Sequence, residues 1–82
     1  MEDVSEKKSE VFGFEVKAYD KVDLAMLYCP GRSAEAAVKT LMRWIRQCTE
    51  LMKALDAIGY NSRRHRFLRR EVEQIVRHLG EP

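Results

Sequence analysis

The chain has little with which to do covalent chemistry and nothing with which to cross a membrane. No run approaches the roughly 18 consecutive apolar residues that a spanning helix needs. The opening segment, Met1-Glu2-Asp3-Val4-Ser5-Glu6, holds no apolar stretch, which excludes a secretory signal and leads us to expect a cytoplasmic protein. Cysteine is scarce. Cys29 and Cys48, taken with His65 and His78, give C-x18-C-x16-H-x12-H, whereas paired zinc ligands stand two to four residues apart. No metal or other cofactor is expected. There is no Gly-rich phosphate loop and no nucleophile elbow. Neither His65 nor His78 has a carboxylate partner by sequence, so no acid–base arrangement is visible, no small-molecule substrate is implied and the chain is not expected to be an enzyme. At 82 residues there is material for one domain. A domain this size buries only about 60% of its unfolded surface, which leaves little room for a deep cleft beside a core.

What is present is charge, unevenly spread. The chain is 34% charged and 45% hydrophobic, a composition typical of a globular domain. Its net charge of +2 hides an asymmetry. Residues 1–31 hold four lysines against seven acids, and residues 32–80 hold eleven lysines and arginines against five. An anionic partner would meet the second part.

The hydrophobic pattern predicts a mainly α fold of about four short helices. Residues 1–10 are polar and without period, and read as a flexible tail ahead of a single domain over 11–82. From Phe12 the pattern alternates: Phe12, Phe14, Val16 and Ala18 on one side, Glu15 and Lys17 on the other, a half-buried strand. Asp20 is placed to cap a first helix over Lys21–Tyr28, stopped by Pro30 and Gly31. Ser33 opens a second helix from Ala34 to about Cys48. Thr49 is placed to cap a third over Glu50–Ile58, with Gly59 as its left-handed terminator. A fourth runs from near Arg69 to about Leu79 on the stripe Val72, Ile75, Val76, Leu79. Phe67 is a candidate second strand, pairing through residues 66–67 with the first.

The second helix carries the first candidate site. At about 100° per residue, Ala34, Ala37, Val38, Leu41, Trp44, Ile45 and Cys48 share one side, while Lys39, Arg43 and Arg46 lie almost opposite. Trp44 is assigned to the core, since a domain this small needs its large side chains inside. A helix packed by one stripe and basic on the other is what a DNA-reading helix requires. Arg32, Ser33 and Ala36 then stand at its start, where a recognition helix makes its first base contacts. The same face is also what an ordinary solvated helix shows. The second candidate is the segment Arg63-Arg64-His65-Arg66 with Arg69 and Arg70. Five arginines in eight residues repel one another without a counter-ion, and arginine's planar fork suits phosphate. Placed between elements, such a segment resembles the wing of a winged helix. Glu71 and Glu73 partly neutralise it.

The spans Lys17-x-Tyr19-x-Lys21-x-x-Leu24-Ala25-x-Leu27-Tyr28-x-Pro30, Leu41-Met42-Arg43-Trp44-Ile45, Gly59-Tyr60 and Ile75-Val76-x-x-Leu79-Gly80-Glu81-Pro82 resemble a family of short proteins from gut bacteria, known only as a domain of unknown function. The resemblance covers about residues 14–82. It implies a compact single domain with helix-turn-helix-like character over Leu24–Ile45, and it carries over no activity. Many members have Thr or Ser where Leu68 stands. Losing that cap costs about 1 kcal/mol and shifts the expected start of the last helix by up to a turn. The link between helices one and two is also about three residues longer than a tight helix-turn-helix connection.

The expected function is double-stranded DNA binding of helix-turn-helix type, as a transcriptional or accessory regulator. Arg32, Ser33, Lys39, Arg43 and Arg46 would face the major groove, and Arg63, Arg64, Arg66, Arg69 and Arg70 would hold phosphates. A monomer this small binds weakly, so a homodimer or a second protein is expected. The alternative is a non-enzymatic protein-interaction module whose basic loop meets an acidic partner.

Overall fold

A computed structural model describes residues 14–82. The tail over 1–10 and the first part of the expected strand lie outside the described residues. Among those described, the order is β1 (Tyr19–Asp20), α1 (Lys21–Tyr28), α2 (Ala34–Gln47), α3 (Thr49–Ala57), β2 (Arg66–Phe67) and α4 (Arg69–Leu79). The protein is mainly α. β1 and β2 form an antiparallel ribbon, Tyr19 opposite Phe67 and Asp20 opposite Arg66. The pairing at 66–67 is the expected one. The strand is shorter than the alternation suggests: Phe14 and Val16 do turn inward and Glu15 and Lys17 outward, but residues 14–18 pair with no strand.

The helix ends follow from a few side chains. Ser33 is extended, and its Oγ accepts from the Ala36 N–H at 3.2 Å, a standard N-cap. One extended residue, Cys48 (φ −99°, ψ 97°), separates α2 from α3. Cys48 rather than Thr49 therefore occupies the cap position of α3, and no side chain caps that helix. Asp20 sits at the cap position of α1 but does not cap either, because its carboxylate turns across the ribbon to Arg66. Gly59, at φ +83°, ends α3. Its N–H bonds the Asp56 carbonyl at 3.1 Å, and the Tyr60 N–H reaches back to Leu55 at 3.0 Å. This paired closure suits glycine, which adopts positive φ at no steric cost.

The core lies where α1, α2, α3 and α4 meet under the ribbon. Leu24, Ala25, Ala37, Leu41, Ile45, Leu51, Leu55, Phe67, Val72 and Ile75 are fully buried. Each large member contributes about 1.5–3 kcal/mol by leaving water. α1 packs most extensively on α2, and α3 on α4. Phe67 stacks on Tyr60 with centroids 5.7 Å apart, so the second strand is anchored by its side chain as well as its ladder. Trp44 departs from its expected place. It is 36% exposed, with the Tyr28 ring edge-on to it at 6.3 Å between centroids. It sits at the margin of the α2 stripe, about 60° from Leu41, and Tyr28 is itself half-buried, so one side of the indole stays open.

Candidate nucleic-acid interface

α2 presents its basic face away from the bundle. Lys39, Arg43 and Arg46 are exposed, opposite the buried Ala37, Leu41 and Ile45. The Lys39 ammonium lies 3.8 Å from the Glu35 carboxylate, one turn earlier. Both side chains are largely in water, where such a pair contributes little. Among the described residues, Arg32, Arg43 and Arg46 have no carboxylate within ion-pair distance. Arg32 is exposed in the turn before α2. Ser33 spends its oxygen on the helix cap, which leaves its hydroxyl proton as the group free to meet an anion.

The arginine segment is built differently. It is fastened to β1 and α1 by a set of short bonds. The Asn61 Oδ1 accepts from the Arg63 N–H at 2.9 Å, and the Asn61 carbonyl accepts from the Arg64 N–H at 3.1 Å. The Lys21 N–H donates to the His65 carbonyl at 2.9 Å, and its Nζ donates to the Ser62 carbonyl at 2.7 Å. Burial, and secondarily the Arg64 charge, lower the Lys21 pKa from its ordinary value.

Arg64 points inward. Its guanidinium reaches both oxygens of Glu71, at 3.3 and 2.5 Å, and donates to the Arg66 carbonyl at 3.3 Å. It also lies over the Tyr60 ring, 5.9 Å from the centroid. Glu71 is fully buried, and its hydrogen bond raises the Arg64 pKa still further above neutrality. The same carboxylate accepts from the Leu68 N–H at 2.8 Å. Leu68 has no side-chain oxygen, so this is one half of a capping box, the half that runs back from the third helical residue. It is enough to start α4 at Arg69, without the loss of a turn. Tyr60, between these groups, keeps a buried hydroxyl with no hydrogen-bond partner among the described residues. Burial and the nearby Glu71 raise its pKa, while Arg64 opposes them.

Of the five arginines expected to hold phosphates, two therefore have carboxylate partners within the fold: Arg64 with Glu71, and Arg66 with Asp20 at 2.9 Å. Arg63, Arg69 and Arg70 are exposed and have none among the described residues. Arg77 joins them. It lies seven residues after Arg70 on the outer side of α4, a spacing that returns to nearly the same direction. That i, i+7 pair was present in the sequence as a signal. The burial of Glu71 also had one, since Glu71 and Ile75 share a face at i, i+4.

The two basic segments are not joined to each other. No hydrogen bond or ion pair among the described residues links residues 63–70 to α2. The loop belongs with β1, α1 and α4, and the α2 face stands on the outside of its own helix. Five residues, Cys29–Ser33, connect α1 to α2, one or two more than the three or four of a tight helix-turn-helix connection rather than the expected three more. Cys29 is buried and Cys48 half-buried, both as free thiols. Among the described residues no group of three or more His, Cys, Asp or Glu side chains is placed to hold a metal ion, and no helix is long and apolar enough to cross a membrane.

No curated protein and no solved structure matches the chain. A family model matches over residues 15–82, nearly the whole of the described fold. The chain belongs to that family, described as Domain of unknown function (DUF4248).

Proposed function

We propose that the domain binds double-stranded DNA, with the outer face of α2 against the duplex. What supports this is the placement of Arg43 and Arg46, exposed, opposite the buried stripe and with no carboxylate partner among the described residues. Cations held this way keep their full charge for phosphates, and each phosphate they neutralise releases counter-ions. Arg32 and Lys39 extend the face along the helix. Arg63, Arg69, Arg70 and Arg77 supply further phosphate contacts, while Arg64 and Arg66 act by holding the loop in shape. The role is transcriptional or accessory regulation. The setting is the cytoplasm, and the chemistry is binding without catalysis.

The test is binding of a labelled duplex at about 50 mM salt, repeated at about 200 mM, where affinity should fall steeply. Arg43→Ala should weaken a selected sequence more than a random one, and Arg63→Ala should weaken both equally and reduce the salt slope by about one. No shift in duplex mobility at micromolar protein and low salt overturns DNA binding and leaves an acidic protein partner as the reading.

A further inference from the structure

We propose that the outward face of α1 is a self-association surface, on which two copies of this chain pair about a twofold axis. Leu24 and Ala25 turn fully into the core. Val22 and Leu27 turn the other way and are 43% and 46% exposed, more than any other large hydrophobic side chains of the described fold. Met26, partly covered, lies between them. An eight-residue helix that is apolar on both sides has one side without a partner.

The face continues into an open depression. Lys17, Asp20 and Arg66 edge it on the ribbon side, and Asp23, Met26 and Leu27 on the helix side. Its charges are balanced, two basic and two acidic. Arg66 and Asp20 satisfy each other at 2.9 Å. Asp23 has no cation within ion-pair distance among the described residues, and Lys17 is held only loosely, 3.9 Å from an exposed Glu15. The depression thus offers one carboxylate, Asp23, set on the helix between Val22 and Leu27, and one ammonium, Lys17, on the ribbon side.

That arrangement selects the occupant. A twofold contact requires a surface complementary to itself, and rotation brings Lys17 of one copy to Asp23 of the other. A strongly acidic or strongly basic partner meets a neutral rim and gains nothing from it. Residues 32–80 carry a net excess of six positive charges, so copies repel over the rest of the surface and approach most easily here. The surface is independent of α2, and pairing through it stands whether or not the domain binds DNA.

Sedimentation equilibrium of the full chain over a concentration series reads the pairing. The mass should rise with concentration from 9.6 kDa toward twice that value. Leu27→Asp and Val22→Asp, each at an exposed position, should weaken the dimer by about tenfold or more with unchanged far-ultraviolet circular dichroism. Asp23→Lys should weaken it too, and Lys17→Asp introduced into the same chain should restore it. A monomer throughout the series overturns the proposal. So does a dimer indifferent to both apolar substitutions, or a double charge variant no tighter than its single parent. If one aspartate variant loses its fold, the other and the charge exchange decide.

Discussion

Removing the Glu71 carboxylate tests what holds the arginine loop and the last helix together. Glu71 is fully buried, and its oxygens serve two groups at once: the Leu68 N–H at 2.8 Å and the Arg64 guanidinium. In Glu71→Ala the Leu68 N–H loses a charge-assisted bond, about 1.5–3 kcal/mol. Loss of a buried methylene adds about 0.8 kcal/mol. The total is about 2–4 kcal/mol before any contribution from Arg64, whose side chain is one-third exposed and rehydrates readily. In a domain of this size that lowers the melting temperature by roughly 10–25 °C. Glu71→Gln keeps the volume and an oxygen for Leu68 and loses only the charge, so it should fall between Ala and the parent. Amide exchange at Leu68 separates the two effects, with protection kept in Gln and lost in Ala. A destabilisation of Glu71→Ala below about 1 kcal/mol, or equal exchange at Leu68 in both variants, refutes the assignment of Glu71 as the joint between loop and helix.

Leu68→Ser supplies the missing oxygen at the start of α4 and completes the box with Glu71. Leu68 is already 36% exposed, so the change should stabilise the protein by about 0.5–1 kcal/mol in thermal melts, and a lower melting point contradicts the cap reading. Tyr28 donates from its hydroxyl to the Gly80 carbonyl at 2.5 Å, and burial, with Glu81 nearby, pushes its pKa from 10.0 up to about 12. The folded protein therefore holds that proton more tightly than the unfolded chain does. The stability it brings is complete below pH 10 and is lost as the pH climbs through about 12. In Tyr28→Phe the alkaline decline in stability over that window should flatten, and an unaltered decline assigns it elsewhere.

Much of the architecture was readable because local signals agreed with one another. Ser33 has a cap oxygen and a strongly two-faced helix behind it, and Gly59 follows an apolar stripe that ends at Ile58. Both ends fall where the pattern puts them. The ribbon was legible from Phe67, an aromatic beside Arg66 in the segment ahead of the last helix. The misreadings share a different cause: side chains that choose a distant partner over a near one. Asp20 has the chemistry of a cap, but Arg66, 46 residues away, takes its carboxylate. Glu71 looked like diffuse neutralisation of the arginine segment and is instead a buried bridge to one of them. Trp44 belongs to the apolar stripe by angle, yet it lies at the margin of that stripe and stays 36% exposed. α1 is apolar nearly all round, so periodicity had no basis for naming its inner face. The basic face of α2 could be drawn from spacing alone, whereas the state of the loop arginines depended on long-range pairing that spacing does not encode.

The ribbon sets the order in which this protein can come into being. It joins Asp20 to Arg66 across 46 positions, and the Tyr28 hydroxyl reaches across 52. At about 5–20 residues per second, a ribosome takes roughly 2–10 s to deliver the first of these partners after the first helix has been made. For that interval Asp20 lacks its partner Arg66, the Lys21 N–H lacks the His65 carbonyl, and Phe67 is missing from the core. In that interval α1 can already pack on α2, its most extensive partner, so the ribbon closes last, over helices that have met before it.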